Sequence, residues 1–239
     1  MKNLRFLILI IPILAISCTV GGQIRKTVHG NHNVTKSERN AGSFTGVKAS
    51  SGVDVYLSQG DRESVTVEAD ENLHEYIITE VKEGILHVYT DANIRNAERE
   101  RVYVTIRDVE SISTSSAGDI VGETPIRTDD LSLSASSAGD ITLEIYAGKI
   151  DINISSSGDM TLKGETETLE ADLSSAGDLN AYELAAKDAD VSVSSAGDAE
   201  IHVTEKLKAR ASSAGDIYYK GNPRNIDVHT SSAGGVHSR

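Results

Sequence analysis

Six aspartates, Asp119, Asp140, Asp159, Asp178, Asp198 and Asp216, each follow a glycine in a recurring Ser-Ser-Ala-Gly-Asp pattern. Carboxylates bind hard cations, and oxygens from successive repeats could share a Ca²⁺ at about 2.3–2.6 Å. Two carboxylates on one wall supply few of the roughly 6–8 oxygens that Ca²⁺ takes, so the pattern predicts weak divalent-ion binding at most. The competing reading is turn chemistry: glycine takes a positive φ without penalty, and aspartate bonds to backbone N–H groups at the corner. The adjoining serines, beginning with Ser115 and Ser116, recur without a histidine or other base beside any one of them. A nucleophile needs such a base, so no serine reads as catalytic. Glycoside hydrolysis needs two carboxyl groups with separated pKa values, and a column of equivalent aspartates offers no special pair. Arg210, five residues before Gly215, faces outward and has no sequence partner that would make it a lyase base. His29 and His32 lie in a polar stretch with no carboxylate or cysteine nearby and read as solvated residues, not metal ligands. No catalytic residue is assigned.

The elements that carry these residues follow from the repeat itself. The seven glycines are Gly118, Gly139, Gly158, Gly177, Gly197, Gly215 and Gly234, spaced by 21, 19, 19, 20, 18 and 19 residues. Counting back from each glycine in steps of two gives serine, then a column such as Thr114, Ala135, Ile154 and Leu173, then one such as Ile112, Leu133, Ile152 and Val191. Two residues after the glycines stand Ile120, Ile141, Met160, Leu179, Ala199, Ile217 and Val236. The intervening positions are polar. Period-two alternation on both sides of a glycine bend means strand, bend, strand. A unit of about nineteen residues is too short for helix-pair repeats, which begin at about 33. The expected fold class is all-β: a single-stranded right-handed parallel β-helix or β-solenoid, with rungs stacked about 4.8 Å apart. By alternation the second serine of each bend is expected to point inward. The end rungs are expected to need capping, because an open end exposes strand edges. The last repeat departs from the pattern, with Gly235 in place of aspartate.

The same alternation, less regular, runs through residues 41–112. Strands are expected at Val53–Leu57, Val65–Val67, Ile77–Val81, Ile85–Tyr89 and Val102–Ile106, with a turn at Lys82-Glu83-Gly84. Asp70 to Tyr76 reads as a loop or short helical turn, and Ala92 to Arg101 as a charged surface loop. Residues 41–239 therefore form one solenoid domain, with looser rungs over 41–112 and the repeat rungs over 113–239.

The chain has 239 residues, with 23 Lys+Arg against 36 Asp+Glu. That acid excess argues against nucleic acid as a partner. A single Cys rules out an internal disulfide. Lys2 and Arg5 precede an apolar run from Phe6 to Ile16, too short to span a bilayer and suited to a secretory signal peptide. Leu14-Ala15-Ile16-Ser17-Cys18 ends the run and resembles the lipobox of bacterial lipoproteins. That resemblance implies a signal peptide over 1–17, lipidation at Cys18 and membrane lipid as a partner. Residues 18–40 read as a flexible tether.

Phe44-Thr45-Gly46-Val47, Ser51-Gly52-Val53-Asp54-Val55, Val65 to Leu73, Gly84-Ile85-Leu86 and the Ser-Ala-Gly-Asp bends together resemble the head GIN domain family of putative auto-transporter adhesins, over about residues 42–225. The resemblance implies a β-helix-like solenoid in secreted or lipid-anchored envelope proteins of Gram-negative bacteria. It brings no catalytic residues and no cofactor beyond the weak Ca²⁺ already considered. The function expected is a non-enzymatic, lipid-anchored envelope protein of the outer membrane, periplasmic or surface-exposed. It would present an acidic surface to a protein or glycan. The alternatives are a carbohydrate-active β-helix enzyme and a structural solenoid that binds divalent cations weakly.

Overall fold

The computed structural model describes residues 25–239. The expected signal peptide and the lipidation site Cys18 lie outside the described residues. The structure is essentially all-β, 68% strand, and forms a β-solenoid of about seven turns. In chain order the strands are β1 (Thr27–His29), β2 (Val34–Arg39), β3 (Gly46–Ser50), β4 (Asp54–Gln59), β5 (Ser64–Asp70), β6 (Ile77–Lys82), β7 (Ile85–Thr90), β8 (Asn93–Arg95), β9 (Glu100–Ile106), β10 (Ser111–Ser115) and β11 (Asp119–Gly122). The longer strands β12 (Ile126–Ser136), β13 (Asp140–Ser155), β14 (Asp159–Leu173), β15 (Asp178–Ser194) and β16 (Asp198–Ser212) follow. β17 (Asp216–Lys220), β18 (Asn225–Thr230) and β19 (Gly235–Ser238) close the series.

From β10 onward every pairing is parallel and joins one rung to the next. The apolar columns read from the sequence are in register. Val47, Ile112, Leu133, Ile152, Ala171, Val191 and Ala209 form one ladder. Val55, Ile120, Ile141, Met160, Leu179, Ala199 and Ile217 form another. All of them are buried. No single rung could bury its own apolar face, so each depends on its neighbours.

The bend differs from the expectation in two respects. Positive φ falls on the two residues before each glycine, as at Ser116 (53°) and Ala117 (58°) or Ser137 (54°) and Ala138 (60°), and none of the seven repeat glycines adopts it. Two successive left-handed residues define a type I′ turn. The Gly118 N–H closes it on the Ser115 carbonyl at 3.2 Å. The turn interrupts the alternation, so the second serine of each bend is exposed instead of inward. The glycines serve close approach. A Cβ on Gly158 would stand 2.7 Å from the Ala135 carbonyl carbon, and one on Gly118 would stand 2.8 Å from the Ser50 nitrogen. The first bend inverts this use. There Ser51 (61°) and Gly52 (75°) are the left-handed pair, and the fully buried Val53 takes the inward place.

The N-terminal third is more than loose rungs. β3 and β4 stack in parallel on β10 and β11, and β7 and β9 stack in turn on β3 and β4. Beyond them the pairing becomes antiparallel: β6 on β7, β5 on β9 and β2 on β5. The β6–β7 hairpin turns at Glu83 (52°) and Gly84 (78°), as Lys82-Glu83-Gly84 predicted. Asp70 to Tyr76 contains a single 3-10 turn over Glu71–Leu73.

Two expectations are corrected. The tether through residue 40 fails over β1 and β2, which pair with β8 and β5, so the folded unit begins well before residue 41. The reason is fully buried Asp70, whose carboxylate accepts the N–H of His32 at 2.9 Å and those of Glu98 and Arg99 at 3.1 and 3.3 Å. Those bonds draw the polar N-terminal stretch and the loop after β8 onto the body. The presumed surface loop Ala92 to Arg101 holds β8, buried Ala92 and the start of β9.

The exchange of roles between glycine and its neighbours gives a test. Gly158→Ala is expected to destabilise the fold by about 1–3 kcal/mol, through overpacking against Ala135. Ala138→Gly should stay within about 0.5 kcal/mol of the parent, because release from a left-handed backbone offsets the added chain entropy. Thermal unfolding of the two variants measures the difference, and equal losses would contradict this view of the bend.

Candidate functional site

The aspartate column forms as the spacing predicted and extends one rung further, to Asp54. Asp54, Asp119, Asp140, Asp159 and Asp178 lie in register, and Asp198 pairs with Asp216. Two of the carboxylates visibly bond across the rungs: the Asp140 N–H donates to Asp119 Oδ1 at 3.4 Å, and the Asp198 N–H to Asp178 Oδ1 at 3.0 Å. These bonds link the corner to the next rung, where sequence reasoning placed them within one corner. Burial, reinforced by a neighbouring carboxylate, raises the pKa of Asp119, Asp140, Asp159 and Asp198, while the next rung's N–H opposes the rise. Among the described residues no group of three or more His, Cys, Asp or Glu side chains is arranged to hold a metal ion. Asp119 and Asp178 thus use a carboxylate oxygen to bond the backbone of the next rung.

At the N-terminal end of the column lies a residue that the sequence reading left in a surface loop. Glu100 lines a recess with Arg25, Ser51 and Thr90. Burial first, and the Asp54 charge second, push its carboxyl up to about 7. The only sequence signal was a carboxylate at the start of an alternating strand, one residue before Arg101, which pairs with Asp54. On the outer face nearby, Tyr56 and Tyr103 stack with ring centres 5.3 Å apart, and the Arg101 guanidinium lies 5.2 Å from the Tyr56 ring.

A second feature lies on the other flank of the bends. The outward positions five before each glycine align as Ser134, Asn153, Asp172, Ser192 and Arg210. With the half-buried serines Ser155, Ser174, Ser194 and Ser212 they line a groove of about 520 Å³ that runs across the rungs. Short side chains make the trough. A charged column runs beside it, two residues earlier, through Asp151, Glu170, Asp190 and Lys208. There Asp190 accepts from Lys208 at 2.8 Å and Arg210 at 2.9 Å, and Asn153 donates to Asp151 at 3.0 Å. Arg210 thus faces outward as expected, and its partner is Asp190. The groove offers hydroxyls, an amide, a carboxylate and a guanidinium repeated at the rung spacing. It holds no paired acid and base, and no aromatic side chain lines it.

This geometry is that of a stacked β-coil, a β-solenoid whose outward side chains repeat from rung to rung. The family model of the putative auto-transporter adhesin, head GIN domain, matches residues 43–223, and the chain belongs to that family. A solved putative adhesin from Bacteroides fragilis is 20% identical with a TM-score of 0.81, the match covering 89% of this chain and all of that one. A putative adhesin from Parabacteroides merdae is 22% identical with a TM-score of 0.71, covering 90% of this chain and 99% of that one. A putative lipid binding protein from Parabacteroides distasonis is 20% identical with a TM-score of 0.72, covering 90% of this chain and all of that one. At these identities the likeness shows the shared fold. No curated protein matches the chain.

The raised carboxyl of Glu100 gives a pH dependence of definite sign. A folded pKa of about 7 against an ordinary 4.5 means that the folded state holds the proton longer than the unfolded chain. Stability is then greatest below about 4.5 and falls as the pH rises toward 7. The raised aspartates act in the same direction from a lower starting pH. Glu100→Gln should therefore raise stability at pH 8 by about 1–2 kcal/mol and change it little near pH 4.5. Denaturant titrations of both proteins across that range are the check, and parallel pH profiles would refute the assignment.

Proposed function

We propose that the chain is a non-enzymatic, lipid-anchored adhesin-like protein of the bacterial cell envelope, and that the groove from Ser134 to Arg210 holds an extended glycan chain. The observation that carries the reading is the groove itself: hydrogen-bonding side chains repeated in register over five rungs, with no catalytic constellation among them. Glycans present hydroxyls at a regular spacing along an extended chain, and a row of serine, asparagine, aspartate and arginine groups meets them by direct and water-mediated bonds. Each contact is modest, so affinity grows with the number of rungs engaged. Membership of an adhesin family supports a role at the envelope or cell surface. Among the described residues no helix is long and apolar enough to cross a membrane. The anchor at Cys18 rests on the lipobox resemblance. The placement of the anchor in the outer membrane rests on the lipobox resemblance and on Thr19-Val20-Gly21-Gly22, which carries no acidic residue after the cysteine.

Two experiments test the proposal. Cys18→Ser should abolish incorporation of labelled fatty acid and release the protein from the membrane fraction; unchanged labelling would remove the anchor. In a glycan array, the parent should bind longer oligosaccharides better than short ones. The triple variant Asn153→Ala, Asp172→Ala, Arg210→Ala should lose at least about tenfold in affinity, the sum of three modest polar contacts. Unaltered binding by the triple variant would move the site elsewhere, and release of cleaved products would make the protein an enzyme.

A further inference from the structure

The two ends of the solenoid are finished differently. At the N-terminal end the core closes over fully buried Leu73 and Ile77, and the strands beyond are antiparallel. The outer strand there, β2, carries Lys36, Glu38 and Arg39, the kind of charged edge that discourages further pairing. At the other end, β18 pairs with β16 and β19 with β17, and no described residue pairs with their outer edges. All six residues of β18 are exposed, Ile226 at 51% and Val228 at 41%. One rung below, their register partners Leu207 and Ala209 are fully buried. Ile226 and Val228 are thus core positions that lack a covering rung. β18 (Asn-Ile-Asp-Val-His-Thr) contains no lysine, proline or bulge and pairs in unbroken register, so it lacks those protections of an edge strand.

We propose that a second copy of this chain covers the edge, the two solenoids meeting tail to tail through antiparallel pairing of β18 with its mate. A two-fold axis normal to the sheet at Val228 keeps inward side chains inward and makes the contact self-closing. In that register Val228 opposes Val228 of the partner subunit, and Ile226 opposes the partner's Thr230. On the outer face Asp227 opposes the partner's His229, and His229 the partner's Asp227. The hydrogen-bonding pattern of this strand, a carboxylate acceptor facing an imidazole, is therefore self-complementary. Asp227 already meets His229 within one chain at 3.3 Å, and the rung below places Lys208 beside Asp227 and Arg210 beside His229. Pairing supplies a hydrogen-bonding partner for the edge backbone and a cover for the two exposed apolar side chains. The contact is small, so the dimer forms reversibly.

Sedimentation velocity of the full chain over a range of concentrations, in detergent, reads the association. The parent should show a monomer–dimer equilibrium with no larger species. His229→Asp sets Asp227 against a second aspartate twice across the axis and should weaken the dimer at least about fivefold. Adding Asp227→Lys to that variant restores opposite charges and should recover the dimer, a signature that mere loss of folding does not produce. Val228→Lys, which sets two lysines together on the axis, should give monomer with an unchanged circular dichroism spectrum. A parent that stays monomeric, a dimer indifferent to both single variants, or open-ended growth with concentration would each overturn the proposal. So would strong amide-exchange protection of residues 225–230 in the monomer, because another part of the chain would then cover the edge.

Discussion

The constraint on which the rest depends is the distance between successive bends. Parallel strands stack at about 4.8 Å, and every corner must keep that spacing while the chain reverses direction. In the repeat bends a Cβ at the fourth residue would press on the rung before it, as at Gly118 and Gly158, and only the first bend, with Val53 in that place, carries one. Glycine is consequently fixed at the close-approach position. The left-handed conformations the turn requires then fall on serine and alanine, at a cost of order 1 kcal/mol for each residue. What offsets the cost is a hydrogen bond from bend to bend: Ala117 N–H to the Ser137 carbonyl at 3.1 Å, Ala138 to Ser156 at 3.2 Å, and so on to Ala214 and Ser232 at 3.1 Å. A corner is strained by itself and satisfied in a stack, so the repeat is cooperative at its turns as well as in its core.

The polar columns inherit that spacing. Aspartates that occupy one position in every rung have to stand above one another, and at Asp140 and Asp159 partial burial and the neighbouring carboxylates raise the pKa. Bonds to backbone N–H groups hold the row together. On the opposite flank the same stacking lines up short serines into a trough and lets acidic and basic residues on adjacent rungs neutralise one another, as Asp190 does with Lys208 and Arg210. Both flanks thus repeat one side-chain position at the rung spacing, carboxylates on one side and short polar groups on the other.

The sequence revealed whatever was periodic. The inward ladders, the aspartate column and the parallel stacking were legible because seven copies of one pattern repeat the same instruction. The bend was half legible: glycine marked its position but not its purpose, since a sequence does not show that the neighbouring backbone, and not φ, excludes a side chain. The N-terminal third was legible in its strands but not in its pairing. Val65-Thr66-Val67 alternates equally well in parallel and antiparallel partnership, and only the three-dimensional closure over Leu73 decides between them. β1 and β2 were missed because their burial depends on one distant carboxylate, Asp70, whose bonds to His32, Glu98 and Arg99 no local pattern announces. Glu100 was missed for the same reason, its environment being made by Asp54 and by the recess around it.

A molecule built this way distributes function along its length. Each rung touches only its neighbours, so a substitution in one trough position perturbs one or two adjoining rungs and leaves the remainder standing. Single outward residues, such as Asn153 or Asp172, can then change without touching the ladders inside. The ends are the exception. They lack a neighbour on one side, and each must obtain its cover from something other than the repeat. At the N-terminal end this chain does so with antiparallel strands and the buried Asp70 latch. Among the described residues at the other end, the inward column is exposed at Ile226 and Val228, and a cover of the kind proposed there brings a strand edge of its own.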